Sequence, residues 1–201
     1  MASDAVTLIM NDHRLMESMF EQVQAGEGDR RALVEEIAAR LTAHARAEEK
    51  KVYPALARAE PSEKDEVHHG VDEHHEAEEL LEKVMQNLDS PKFDQMFSEF
   101  AQAVKHHVEE EESEILPALR DAVDRSTLEQ LGDEFMRARL AELRSAGYDS
   151  DDEHAAAYDK GRSDLTEATR DELYEMAKEA DISGRSTMNK DELAESLRRE
   201  R

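Results

Sequence analysis

The segment AHARAEEKKVYPAL (residues 43–56) aligns without a gap on HHVEEEESEILPAL (residues 106–119). His44 falls on His107, Glu48 on Glu111, Pro54 on Pro117 and Leu56 on Leu119. Upstream, DHRLMESMF (residues 12–20) aligns with EHHEAEELL (residues 73–81), placing His13 on His74. A chain that repeats a pair of helical segments in this way is built from two similar helix pairs. Neither pair can bury its apolar stripe alone. The fold class that follows is all-α: an antiparallel up-down four-helix bundle, in which the histidine and glutamate positions repeat with the helices.

The elements can be read from periodicity and punctuation. A first helix runs from about Ser3 to Gln24 and stops at Gly26-Glu27-Gly28. A second runs from Asp29 to Ala59, with Pro54 near its end. Ser62 suits the N-cap of a third, which continues to Leu88. Ser90-Pro91 opens a fourth, and Pro117 again lies near its end. Both internal prolines should kink their helices or end them early. An extra helix from Arg125 to Ser145 closes on Gly147, a C-capping glycine. Residues 1–147 therefore form the bundle domain, the acidic stretch 148–164 reads as a linker, and 165–201 as a small helical module.

Composition narrows the chemistry. Charged residues make up 38% and aromatics 4% of the 201 residues, with seven Gly and four Pro, as suits long solvated helices. The net charge of −24 repels phosphate backbones and anionic lipid. The absence of cysteine excludes disulfides, thiolate zinc sites, iron–sulfur clusters and thiol catalysis. The N-terminus lacks a basic region followed by a long apolar one, and no stretch approaches 18 apolar residues, so the expectation is a soluble, cytoplasmic protein with no membrane contact.

Histidine with an acid four residues later is a poor guide here, because eight of the nine histidines have one. The apolar stripe is the better discriminator. His13 lies among Val6, Ile9, Met10, Met16 and Phe20. His44 lies on Ile37, Leu41, Glu48 and Val52. His74 lies on Val67, Val71, Leu81, Met85 and Leu88, with Glu78 on the same face. His107 lies on Phe97, Phe100, Val104, Glu111 and Ile115. One histidine per helix points inward, and two of them carry a glutamate one turn on. Burying two unpaired carboxylates is expensive, whereas a pair of highly charged cations compensates them and satisfies the imidazoles. Histidine plus carboxylate without sulfur suits iron or manganese. Ferritin-like di-iron bundles need two ExxH pairs in the core, and this chain offers only Glu66 with His69, off the apolar face. His68, His69, His75 and His106 read as a solvated patch that could take up adventitious nickel or zinc.

At His13, His44-Ala-Arg-Ala-Glu48, His74 and His107-Val-Glu-Glu-Glu111, residues 1 to about 147 resemble the hemerythrin-like HHE cation-binding family. The resemblance implies two iron ions joined by an oxo or hydroxo bridge and by the carboxylates of Glu48 and Glu111, with the four histidines as terminal ligands. Oxygen-carrying hemerythrins place HxxxH on the third helix, where this chain has Glu78. They place HxxxxD on the fourth, where Glu111 comes one residue sooner. Fewer histidines favour the ferric state and turnover or sensing of O2, hydrogen peroxide or nitric oxide over simple carriage. Glu17, Glu78 and Tyr53 are second-rank candidates for a further ligand or a hydrogen-bond donor.

In the C-terminal segment, Thr169 with Glu172 and Asn189 with Glu192 have capping spacing. Leu173, Met176, Ala177, Ile182, Met188, Leu193 and Leu197 supply a minimal core. ISGRSTMNKDELAESL resembles the N-terminal module of transcription terminator Rho and related SAP-like units. That resemblance implies nucleic-acid contact through Arg185, Ser186, Lys190 and Arg198. The acidity of the segment favours a protein partner or self-association instead. Two functions follow: a di-iron protein acting on small oxidants, of peroxidase, catalase-like or NO-consuming type, or a sensor whose metal state controls this module.

Overall fold

The computed structural model of the chain describes residues 4–148 and, towards the C-terminus, residues 173, 174, 185, 188–190 and 193. The linker and most of the C-terminal module inferred from sequence lie outside the described residues. Among the described ones in that segment, Leu173 and Leu193 are buried.

Residues Asp4–Asp149 form one compact unit. Helix α1 (Ala5–Ala25) begins at Asp4, whose Oδ1 accepts from the Thr7 amide at 2.8 Å, and ends at Gly26, whose φ of 69° is the left-handed conformation a helix C-cap needs. Asp29 caps α2 (Arg30–Ala47) through the Ala32 amide at 2.9 Å. The rod continues through a π-turn (Glu48–Val52) into α3 (Tyr53–Ala59). Helix α4 (Lys64–Gln86) follows a 3-10 turn, Pro61–Glu63. Helix α5 (Phe93–Glu110) passes through a second π-turn (Glu111–Ile115) into α6 (Leu116–Ala122). Helix α7 (Arg125–Ser145) starts at its cap Asp124 and packs against α1 and α2. The four bundle rods are thus α1, α2–α3, α4 and α5–α6, with α7 as the extra helix.

Two local expectations are corrected. Ser62 does not cap the third helix; it sits inside the 3-10 turn and its hydroxyl bonds the Glu60 carboxylate at 2.7 Å. Met85, assigned to the apolar stripe, is 39% exposed. Ahead of Pro54 and Pro117 the α-helical ladder gives way to a π-turn and then resumes as a short helix, so each long helix is interrupted near its proline. Proline lacks an N–H and its ring crowds the carbonyl four residues back, so the ladder widens by one residue ahead of it. The Tyr53 amide bonds the Glu48 carbonyl, and the Leu116 amide bonds that of Glu111, five residues back in each case. Each widened turn begins on an inward glutamate, which ties the repeated proline to the repeated acid.

The interior has two regions. Towards the α1–α2 and α4–α5 turns it is hydrocarbon: Phe20, Val34, Ile37, Leu81, Val84, Phe97 and Phe100 are buried together. Phe20 meets Phe97 and Phe100 edge-on at 5.9 and 5.3 Å between ring centroids. Burying each such side chain contributes about 1.5–3 kcal/mol, which is ample to anchor the rods at this end. Beyond Met16 and Val104 lies the polar layer, and Val6, Ile9, Leu56, Leu116 and Leu119 are buried past it. Among the described residues, no helix is long and apolar enough to cross a membrane.

Candidate metal centre

His13, His44, His74 and His107 are all buried, at 0–5% exposure, and Glu48 and Glu111 have none. The six side chains come from α1, α2, α4, α5 and the two π-turns, and they converge. His13 Nε2 lies 3.3 Å from His44 Nε2, and His74 Nε2 lies 3.0 Å from His107 Nε2. Glu48 Oε2 sits 3.3 Å from His44 Nε2 and 3.4 Å from His74 Nε2. Glu111 Oε2 sits 3.2 Å from His13 Nε2 and 3.9 Å from His107 Nε2. Each glutamate therefore touches one histidine from each half of the repeat. Donor atoms of His13, His44, Glu48 and Glu111 form one compact group, those of Glu48, His74 and His107 a second, and Glu48 belongs to both.

The outer ring nitrogens explain the orientation. His13 Nδ1 faces Glu112 at 2.9 Å, His44 Nδ1 faces Asp12 at 3.2 Å, His74 Nδ1 faces Glu49 at 3.0 Å and His107 Nδ1 faces Glu73 at 2.9 Å. A carboxylate at Nδ1 holds the proton there and turns the Nε2 lone pair inward. Four lone pairs then face one another and two carboxylates, with Glu48 Oε1 and Oε2 and Glu111 Oε2 buried and accepting no hydrogen bond. Unsatisfied buried acceptors in such number are strongly unfavourable unless cations lie among them. The donor set fits a pair of metal ions.

Residues 4–119, more than half the chain, match the family described as Hemerythrin HHE cation binding domain. The chain belongs to that family. Residues 164–201 match the Rho termination factor N-terminal domain. No curated protein and no solved structure matches the chain.

The hemerythrin-type cluster carries two additions that set its halves apart. Tyr53 is buried, stacks on His74 at 5.7 Å and donates its hydroxyl to Glu111 Oε1 at 3.1 Å. Its counterpart in the repeat is Leu116, so Glu48 receives no such bond. Gly70 makes room for the tyrosine, since a Cβ there would meet Tyr53 Oη at 3.0 Å. The second addition is Arg139, fully buried on α7, whose Nε meets Asp12 Oδ2 at 2.5 Å. The guanidinium thus holds the carboxylate that holds His44, and it comes from a helix beyond the matched residues.

Electrostatics without cations show the conflict. Burial raises the Glu48 carboxyl well above its usual range, and the facing charge of Glu111 adds to this. Glu111 is lowered, because His13 and the other imidazoles outweigh burial. Burial opposes charge on His13, but Glu111 and Glu48 overcome it and raise the imidazole to about 9. His44, dominated by burial, falls to about 4. Protons stand in unevenly for the missing positive charge, and metal binding would displace them. Asp12 is lowered, as His44 and Arg139 outweigh burial.

Of the second-rank candidates, Tyr53 reaches the cluster. Glu17 does not: it is half-exposed, pairs with Arg14 at 3.1 Å and lies on the wall of a cleft. Glu78 joins neither buried donor group. Reasoning from the stripes missed Asp12, Glu49, Glu73, Glu112 and Arg139. The signal for the first four was present: the same alignment places Asp12 on Glu73 and Glu49 on Glu112.

Proposed function

We propose that this chain holds two iron ions between its histidine pairs and acts on a small oxidant, namely O2, hydrogen peroxide or nitric oxide. The observation that carries the reading is the set of four Nδ1-anchored imidazoles aimed at two buried carboxylates, of which three oxygens, Glu48 Oε1 and Oε2 and Glu111 Oε2, accept no hydrogen bond. His13 and His44 would hold one ion, His74 and His107 the other, with Glu48 and Glu111 reaching both. A bound iron pair supplies redox equivalents and an open coordination position.

The chain's residues supply the rest. Hydrocarbon on one side and the full burial of both glutamates exclude bulk water from the cluster. Burial and the nearby Glu111 charge keep the Tyr53 hydroxyl protonated, so it remains a donor beside the centre. A cleft of about 400 Å³ between α1 and α5 reaches His13; Met16, Phe20, Val104 and Val108 line it, and Glu17, Gln102 and Lys105 also border it. Such a cleft gives a small oxidant an approach to His13.

Freshly purified protein should contain about two irons per chain, show a ferric charge-transfer absorption, and decompose hydrogen peroxide steadily. Iron-loaded protein that takes up NO or O2 but shows no turnover would move the reading to sensing. The Rho-type match at residues 164–201 favours that second reading, in which metal state governs a nucleic-acid or protein partner. Binding of such a partner that differs between iron-loaded and iron-free full-length chain would support it.

A further inference from the structure

On the solvent side of the second histidine pair, two more histidines meet two more glutamates. His69 and Glu73 lie one turn apart on α4, and His106 and Glu110 one turn apart on the facing helix α5. His69 Nε2 is 3.3 Å from Glu110 Oε2 and 3.8 Å from Glu73 Oε1. His106 Nε2 is 3.3 Å from Glu110 Oε1 and 4.0 Å from Glu73 Oε1. We infer that His69, Glu73 and Glu110, flanked by His106, form a separate, solvent-facing site for a divalent first-row transition cation, linked to the buried centre through the shared carboxylate of Glu73.

Isolated His–Glu contacts on an acidic helix surface carry little energy and are expected in number. This group differs from such pairs in three respects. His69 Nε2 and one oxygen each of Glu73 and Glu110 lie within 4.8 Å of one another, so three donors face one volume, and His106 Nε2 flanks it at the other oxygen of Glu110. Glu73 is only 12% exposed and is held in place, because its other oxygen, Oε2, bonds His107 Nδ1 at 2.9 Å. His69 and His106 are 56% and 63% exposed, leaving room for water to complete a coordination shell. Two imidazoles and two carboxylates without sulfur suit Zn2+, Co2+, Ni2+ or Fe2+ rather than Ca2+ or Mg2+. The neighbouring His68 and His75 join no such group among the described residues.

The consequence runs through Glu73. A cation on Oε1 withdraws charge from the carboxylate, weakens its hold on the His107 Nδ1 proton and makes His107 a poorer donor at Nε2. Occupancy outside would thereby alter the half of the buried centre formed by His74 and His107. This coupling rests on reading the buried cluster as a metal centre; the outer site itself does not.

The test is titration of iron-loaded, full-length protein with Co2+, followed by calorimetry and by Co2+ ligand-field absorption. Wild type should take up one saturable equivalent. The double variant His69→Ala/His106→Ala should lose that equivalent while keeping its iron content and optical spectrum. Absence of saturable uptake by wild type, or undiminished uptake by the double variant, would overturn the site. Saturation with spectroscopically silent Zn2+ should shift the iron absorption of wild type but not of the double variant; an unmoved band overturns the coupling. If the buried cluster holds no iron, the double variant should still bind one Co2+ fewer than wild type, which separates failure of this inference from failure of the iron assignment.

Discussion

In the first half of the repeat, the carboxylate that anchors the second histidine is Asp12, buried and answered by Arg139 from α7. In the second half the same task falls to Glu73, which has no buried cation behind it and faces His69 and His106 at the surface. The inner glutamates differ as well: Glu111 receives the Tyr53 hydroxyl, and Glu48 has Leu116 at the equivalent place. One helical pattern, used twice, therefore yields one half whose second histidine is held by a buried ion pair and one half whose second histidine is held by an acid that also faces the surface. Pseudo-symmetry sets which atoms face the centre, and the residues outside the repeated pattern set how firmly each half holds them.

The largest effect should come from the groups common to both halves. Glu48→Ala and Glu111→Ala each remove a carboxylate that touches both histidine pairs, so either variant should lose both irons rather than one, as read by metal analysis. Retention of a single tightly held iron would show that the halves act independently.

Next in size is the contrast between Asp12→Ala and Glu73→Ala. Removing Asp12 breaks a buried ion pair with Arg139 and takes the anchor from His44, which costs about 3–5 kcal/mol. Removing Glu73 leaves the His107 Nδ1–H able to reach water, at about 1–3 kcal/mol. Denaturant unfolding of the metal-free proteins should rank them in that order. Chelator competition should show each variant holding iron about 10- to 100-fold more weakly. Equal destabilisation would remove the distinction between the buried and the surface-facing anchor.

Tyr53→Phe deletes the bond to Glu111 that Glu48 lacks, and should destabilise the metal-free protein by about 1.5–3 kcal/mol. An unchanged unfolding midpoint would show that the bond contributes nothing to the difference between the two glutamates.

The last contrast is in pH dependence, carried by the two histidines of the first half. His13 is raised from 6.5 to about 9, so its contribution is complete below pH 6.5 and lost as pH rises through 9. His44 is lowered from 6.5 to about 4, so its contribution is complete above pH 6.5 and lost as pH falls towards 4. Metal-free protein should be most stable near pH 6.5 and weaker on either side, and iron should flatten the profile. A metal-free profile that changes in one direction only across this range would contradict the opposed shifts.

Much of this arrangement could be read from periodicity. The four inward histidines and both glutamates lie on stripes that follow the helical repeat, and burial enforces that pattern. The anchoring acids escaped because Asp12, Glu49, Glu73 and Glu112 flank the stripes in helices already crowded with acids, where spacing discriminates nothing. Their agreement under the internal alignment was the usable signal. Arg139 escaped for a different reason: it lies among Phe135, Met136, Leu140 and Leu143, where a charged residue reads as a break in the stripe until its partner on another helix is known. The prolines were visible, and the backbone adds how each interruption is made, by a turn widened by one residue.

The most direct measurement is anomalous X-ray scattering at the iron edge from crystals of iron-loaded protein. Two peaks should appear inside the bundle, one between His13 and His44 and one between His74 and His107, each beside Glu48 and Glu111. Iron-loaded crystals with no internal peak, or with iron only at the surface beside His69 and His106, would contradict the account.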